Sequence, residues 1–121
     1  MINFKSLTKS VSYALHGIKD LWQEQQNFRI HIFAAIIIAI LSYIFQLSRY
    51  EFIFVMLLIT SVIITEIFNS NIENILNLII PEPSNSVKHI KDTSAAAVLI
   101  VSLAALIVGL IIFTPHVLNR V

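Results

Sequence analysis

The chain has 121 residues, of which 57% are apolar and only 12% charged, with a mean hydropathy of +0.84. Such values exclude an ordinary soluble domain and imply an integral membrane protein. The net charge of +1 says nothing about partners, nucleic acid is not expected among them, and the absence of cysteine removes disulfides, thiolate nucleophiles and thiolate metal sites.

The first 28 residues form the first expected element. Phe4, Leu7, Val11, Leu15, Ile18 and Trp22 recur at three-and-four spacing, while Lys5, Lys9, Ser12, His16, Lys19 and Gln23 take the other side. This pattern predicts an amphipathic helix lying in the headgroup layer, with Trp22 as an interfacial belt residue. A small helix packed on the ends of the spans would carry the same pattern. The first apolar run starts only near residue 30, after a polar segment, so the N-terminus does not resemble a cleaved signal peptide.

Three spans follow. Ile30 to Leu47 and Ala95 to Phe113 each approach the ~20 residues that cross a bilayer as helix. Phe52 to Thr65 is shorter but continues through Ile67, Phe68 and Ile72. The expected elements are spans at 30–48, 51–80 and 93–114, with 81–92 as a loop. Pro81-Glu82-Pro83 should end the second span, Ser84, Asn85 and Ser86 continue the turn, and Asp92 to Ser94 offer caps for the third. Lys5, Lys9, Lys19, Arg29, Lys88 and Lys91 would share one side against Arg49 and Arg120 on the other, which predicts a cytoplasmic N-terminus and a cytoplasmic loop between the second and third spans. The whole is read as one all-α membrane domain.

Within this apolar chain, Glu66-Ile67-Phe68-Asn69-Ser70-Asn71-Ile72-Glu73 stands out. Glu66, Asn69, Ser70, Glu73 and Asn77 fall within roughly 60° of one helical direction at 100° per residue. The topology puts this stripe near the cytoplasmic surface, level with Gln25 to Arg29 and with Lys88, Lys91 and Asp92. Serine and asparagine on a span commonly serve as interhelical glue. A carboxylate costs roughly 2.5 to 3.5 kcal/mol at mid-membrane on the insertion scale, and glue does not require it. The pair therefore suggests a cation site, a proton acceptor or both. Carboxylate oxygens suit Mg2+ with phosphate ligands, whereas His16, His31, His89 and His116 lack zinc-ligand spacing. No phosphate-binding loop is present, and Gly17 and Gly109 are the only glycines. A small oligomeric ion or proton conductor with a carboxylate-lined pore is the alternative reading.

Asn27-Phe28-Arg29-Ile30-His31 opening the first span, Glu66-x-x-Asn69-Ser70-x-Ile72-Glu73 in the second, and Lys91-Asp92-x-x-Ala95-Ala96-Ala97 opening the third resemble the small prokaryotic diacylglycerol kinase and undecaprenol kinase family. The resemblance covers nearly the whole chain. It implies a homotrimer in the bacterial cytoplasmic membrane that uses ATP and Mg2+ to phosphorylate a lipid alcohol. On this resemblance Glu66 is the general base, Glu73 the metal ligand, and Asn69 orients the base or the nucleotide beside Ser70 at the substrate. Lys91 counters phosphate charge, Asp92 contacts the nucleotide or fixes that lysine, and Arg29 contacts phosphate or snorkels to headgroups. The family's metal-sharing glutamate is replaced here by Gln25, with Glu24 one step off and rotated by about 100°. Asn77 stands where aspartate is common, and Asn71 replaces a small residue. The Asn-Phe-Arg-Ile-His opening and the Phe113-Thr114-Pro115 ending favour the undecaprenol branch over the diacylglycerol branch.

Overall fold

The computed structural model describes residues 1–120, except for the side chain of Arg120, so the charge counted there lies outside the described residues. Among these residues the chain is entirely helical: α1 Phe4–Glu24, α2 Gln26–Ile44, α3 Arg49–Ile79 and α4 Asn85–Arg120. Three of the helices, α2, α3 and α4, are long and apolar enough to cross a membrane.

Helix α1 starts at Asn3, whose side-chain oxygen accepts from the amides of Lys5 at 3.1 Å and Ser6 at 3.2 Å. Its apolar row, Phe4, Leu7, Val11, Leu15 and Ile18, is exposed. Such a face suits the acyl-headgroup boundary. The helix breaks at Gln25, which is extended at φ −112° and ψ 107°. The Arg29 guanidinium reaches back across this break and donates to the carbonyls of Trp22 at 2.8 Å and Gln23 at 3.3 Å. Those carbonyls have lost their helical partners, so a cation there satisfies both hydrogen bonding and the helix dipole. Trp22 packs tilted against Phe33 across the same corner, with centroids 5.5 Å apart.

At the far end of α2 the chain turns through Gln46, which adopts φ 53°. Ser48 then caps α3: its hydroxyl accepts from the Glu51 amide at 3.2 Å, and the Glu51 carboxylate accepts from the Ser48 amide at 3.4 Å. Helix α3 has 31 residues, about 46 Å at helical rise, and so exceeds the ~30 Å hydrocarbon core. It ends before Pro81, as the proline signal predicts.

The third span begins differently from the expectation. Ser84, not Asp92 to Ser94, caps α4 by accepting from the Val87 amide at 3.1 Å, and the helix is already formed at Asn85. The Thr93 hydroxyl donates backward to the carbonyls of His89 at 3.0 Å and Ile90 at 3.1 Å, a bond made inside a helix and not at its start. Lys88, Lys91 and Asp92 are therefore fixed on the first turns of α4. At the other end Pro115 lies within the helix, which runs on past it to Arg120.

Helix α3 packs against both α2 and α4. The protein interior is thin: Phe28, Val55, Val62 and Val87 are its buried apolar side chains, and Ile36, Ile37, Leu99, Ile100 and Ile107 face outward. Lipid takes the place of a core around such helices. Several hydroxyls on the spans bond back into their own helix, as Ser42 does to the Ile38 carbonyl at 2.7 Å and Thr65 to the Ser61 carbonyl at 2.7 Å, which satisfies them within hydrocarbon; the buried Ser102 hydroxyl of α4 has no partner within the chain.

Candidate active site

Glu66, Asn69 and Ser70 face inward from one side of α3, and all three are buried, with Glu66 only 3% exposed. The spacing i, i+3 and i+4 puts them on one helical face, as the stripe predicts. The Ser70 hydroxyl donates to Glu66 Oε1 at 3.4 Å. His31 of α2 places its Nε2 3.9 Å from Glu66 Oε2, and the Asn27 side chain, one turn earlier on α2, reaches the same carboxylate. The carboxylate thus has partners from two helices. Asn69 Oδ1 is buried and has no hydrogen-bond partner within the chain. A buried acceptor of this kind is costly unless a further group donates to it.

Two turns toward the α3–α4 connection, Glu73 is half-exposed and close enough to Glu66 to act on it electrostatically. Gln25 lies six residues before His31, and Glu73 seven after Glu66, so rises of about 9 and 10.5 Å bring the two to a similar level. Gln25 is half-buried and Glu24 exposed. One turn further, Lys91 Nζ donates to Asn77 Oδ1 at 2.7 Å and ties α4 to α3. Asp92 pairs with Lys88 at 2.6 Å along the exposed face of α4. Asp92 was expected to contact the nucleotide or to fix Lys91; in the structure the i, i+4 geometry gives Asp92 to Lys88, while Lys91 turns to Asn77. These groups border a hollow of about 520 Å3 over the turn, lined by the charged side chains of Lys88, Lys91, Glu82 and Asp92 together with Asn77 and Ser84 and by the apolar Ile80, Pro81, Pro83 and Val87.

Arg29 is bound to the α1 carbonyls at the α1–α2 break. Among the described residues, no three His, Cys, Asp or Glu side chains converge to form a metal cage. One carboxylate from Glu73, with an amide oxygen from Gln25, matches the habit of Mg2+, which takes few protein ligands and completes its octahedron with phosphate and water. On α3 beyond Glu66 toward Ser48, the side chains facing inward are Val62 and Val55, so the polar stripe does not continue through the helix as a pore lining would.

Sequence reasoning did not select His31 or Asn27. The signal was their i, i+4 spacing, which puts both on the α2 face that meets Glu66. It also missed the opposite end of the bundle, where His116 Nε2 lies 2.7 Å from Glu51 Oε2 and Phe45 meets Phe113 edge-on with centroids 6.2 Å apart.

The fold and site define an all-helical, multi-pass protein with a buried carboxylate near one end of its second span. The sequence model of the prokaryotic diacylglycerol kinase family matches residues 12–113, and the chain belongs to that family. It is 33% identical over 107 residues to undecaprenol kinase of Bacillus subtilis (strain 168), covering 88% of this chain and 87% of that protein. It is 30% identical over 115 residues to diacylglycerol kinase of Synechocystis sp. (strain ATCC 27184 / PCC 6803 / Kazusa), covering 94% of this chain and 66% of that one.

Proposed function

We propose that the chain is a lipid kinase that transfers the γ-phosphoryl group of ATP to the hydroxyl of a membrane lipid alcohol, undecaprenol before diacylglycerol, at the cytoplasmic face of the bacterial membrane. The observation that carries this reading is Glu66, buried in the family-matched segment with Ser70 and His31 on its two oxygens. Phosphoryl transfer needs a hydroxyl held in line, a group to take its proton and positive charge on the phosphates. Glu66 accepts the proton of the lipid hydroxyl while that oxygen bonds to the γ-phosphorus and the bond to the ADP oxygen breaks. The products are ADP and the lipid phosphate. Asn69, with a buried oxygen lacking a donor, receives a hydrogen bond from an N–H or O–H of the nucleotide, and Ser70 keeps the carboxylate turned toward the lipid hydroxyl.

Glu73 and Gln25 would hold Mg2+, which when bound neutralises phosphate charge. Lys91, steered by Asn77, adds a positive charge at the hollow where the polyphosphate would lie, and Lys88 and Asp92 border the same hollow. A homotrimer is part of this reading, because three spans per chain leave Glu73 and the hollow open on one side. The preference for undecaprenol rests on the family opening Asn27 to His31 and on the even coverage of the Bacillus relative.

The test is phosphorylation by the purified protein in nanodiscs, with labelled ATP, Mg2+ and either undecaprenol or diacylglycerol. Labelled undecaprenyl phosphate should exceed labelled phosphatidic acid. Label in neither lipid, from a folded protein, would sink the reading.

A further inference from the structure

We infer that Ser102 of α4 hydrogen-bonds the hydroxyl oxygen of the lipid alcohol and holds it against Glu66. This deepens the lipid-kinase reading and rests on it. A serine or threonine on a helix commonly satisfies its hydroxyl by donating to the carbonyl four residues back, as Ser42, Thr60, Ser61, Thr65 and Thr93 do on the spans. Ser102 does not. Among the described residues it holds the one buried hydroxyl without a hydrogen-bond partner. Such a group costs stability, and alanine at the same position would avoid the cost as a better helix former. A polar group left unmet inside the protein points to a partner that arrives with a ligand.

The place of Ser102 on α4 says which ligand. Helices α3 and α4 run antiparallel, tied at one end by Lys91 to Asn77 and at the other by His116 to Glu51. Ser102 lies eleven residues after Lys91, and Glu66 eleven residues before Asn77. Eleven residues are close to three full turns, a rise of about 16 Å with a net rotation of only about 20°. The face of α4 that presents Lys91 to Asn77 therefore presents Ser102 to Glu66, at the same height. His31 reaches that height from α2, 3.9 Å from the carboxylate, and His31 and Ser102 line one cavity among the three helices.

Polarity selects the atom that bridges the two. Ser102 makes no bond to Glu66 directly. An ionised carboxylate only accepts and the serine hydroxyl is free to donate, so an atom bonded to both must carry a proton and a lone pair. An alcohol oxygen has both: it donates to Glu66, accepts from Ser102, and keeps a second lone pair for phosphorus. A phosphate oxygen has no proton to give and would be repelled by the carboxylate. Ser102 thus fixes the nucleophile from the side opposite α2, and α4 contributes to the reacting centre as well as to the nucleotide end.

The experiment compares the full-length wild type with S102A and with the equal-sized pair S102T and S102V, in nanodiscs. Without substrate, S102A should melt at or above the wild-type temperature, because it removes an unpaired buried hydroxyl. With labelled ATP and Mg2+, kcat/KM for the lipid alcohol should fall about three- to tenfold in S102A and S102V, the worth of one hydrogen bond. S102T should keep most of the activity, and KM for ATP should not move in any of the three. The fall should be the same for each alcohol that the wild type phosphorylates, prenol or diacylglycerol, since each offers one hydroxyl. Unchanged kinetics in folded S102A, a loss seen with diacylglycerol alone through its ester oxygens, or a lowered melting temperature from a partner already in place would each overturn the role of Ser102 and leave the lipid kinase standing. Label in no lipid alcohol from the folded wild type would overturn both.

Discussion

His31 and Glu66 face each other across the α2–α3 contact, with imidazole Nε2 3.9 Å from carboxylate Oε2. The ring stands beside one oxygen of a carboxylate whose other oxygen accepts from Ser70, so closure of the 3.9 Å gap would restrict rotation of the proposed base. A base displaced by even a fraction of an ångström loses alignment with the hydroxyl it must deprotonate.

His31→Ala should therefore lower kcat by about tenfold or more with little change in KM for ATP. His31→Gln, which retains a donor, should recover part of the loss. Steady-state kinetics on both variants checks this; a change confined to KM would assign His31 to binding alone.

Glu66 and Glu73 should separate by phenotype. Glu66→Gln keeps shape and hydrogen bonds but cannot take a proton, and should cost roughly 10² to 10⁴ in kcat. Glu73→Gln should instead raise the Mg2+ concentration needed for half-maximal rate. Full activity of Glu73→Gln at low Mg2+ would remove it from the metal site.

The helices and the inward face of Glu66, Asn69 and Ser70 were legible because both follow from periodicity: apolar runs of spanning length, and polar residues at i, i+3 and i+4. What the sequence did not disclose depends on contacts between helices. The pairing of Lys91 with Asn77 rather than Asp92 is set by where α4 begins, and that start was misplaced because Asp92 to Ser94 resemble a cap as much as Ser84 does. Arg29 was assigned to phosphate or headgroups because the break at Gln25 was not foreseen; once the chain kinks there, the freed carbonyls of Trp22 and Gln23 are nearer. His31 was passed over because the histidines were read only for metal-ligand spacing; its i, i+4 register with Asn27 takes on meaning only from the α3 face that the two meet.

Lys91 and Asn77 offer a test of how the nucleotide end is organised. Lys91→Met should raise KM for ATP several-fold by removing charge, and Asn77→Ala should raise it less, by releasing a lysine that stays charged. The double variant should be no worse than Lys91→Met, because Asn77 acts through the lysine. Additive losses would give Asn77 its own contact with the nucleotide.

Arg29→Ala should loosen the corner between α1 and α2 by leaving the carbonyls of Trp22 and Gln23 to water. Arg29→Lys keeps the charge but lacks the fork that spans two carbonyls, so it should restore the geometry only in part. Spin labels on α1 and α2, with distances measured by electron paramagnetic resonance in nanodiscs, should show a broader distribution in the alanine variant. An unchanged distribution would mean that the Trp22–Phe33 contact holds the corner unaided.

The far end of the bundle provides the contrast, since the Glu51–His116 contact at 2.7 Å joins the starts and ends of α3 and α4 well away from Glu66. Side chains 32% and 26% exposed, respectively, are partly screened by solvent, so the contact should contribute about 1 kcal/mol, below what a buried charged hydrogen bond gives. His116→Ala removes that contribution, while Glu51 keeps its bonds to Ser48 and the α3 start stays capped. Glu51→Ala loses both the contact and the reciprocal cap, and should cost more. Thermal or denaturant unfolding in detergent should therefore rank wild type above His116→Ala and His116→Ala above Glu51→Ala. KM for ATP should stay at the wild-type value in both, because no polar side chain on the inner face of α3 links Glu51 to Glu66. Equal destabilisation by the two variants would show that the capping box contributes nothing beyond the histidine contact.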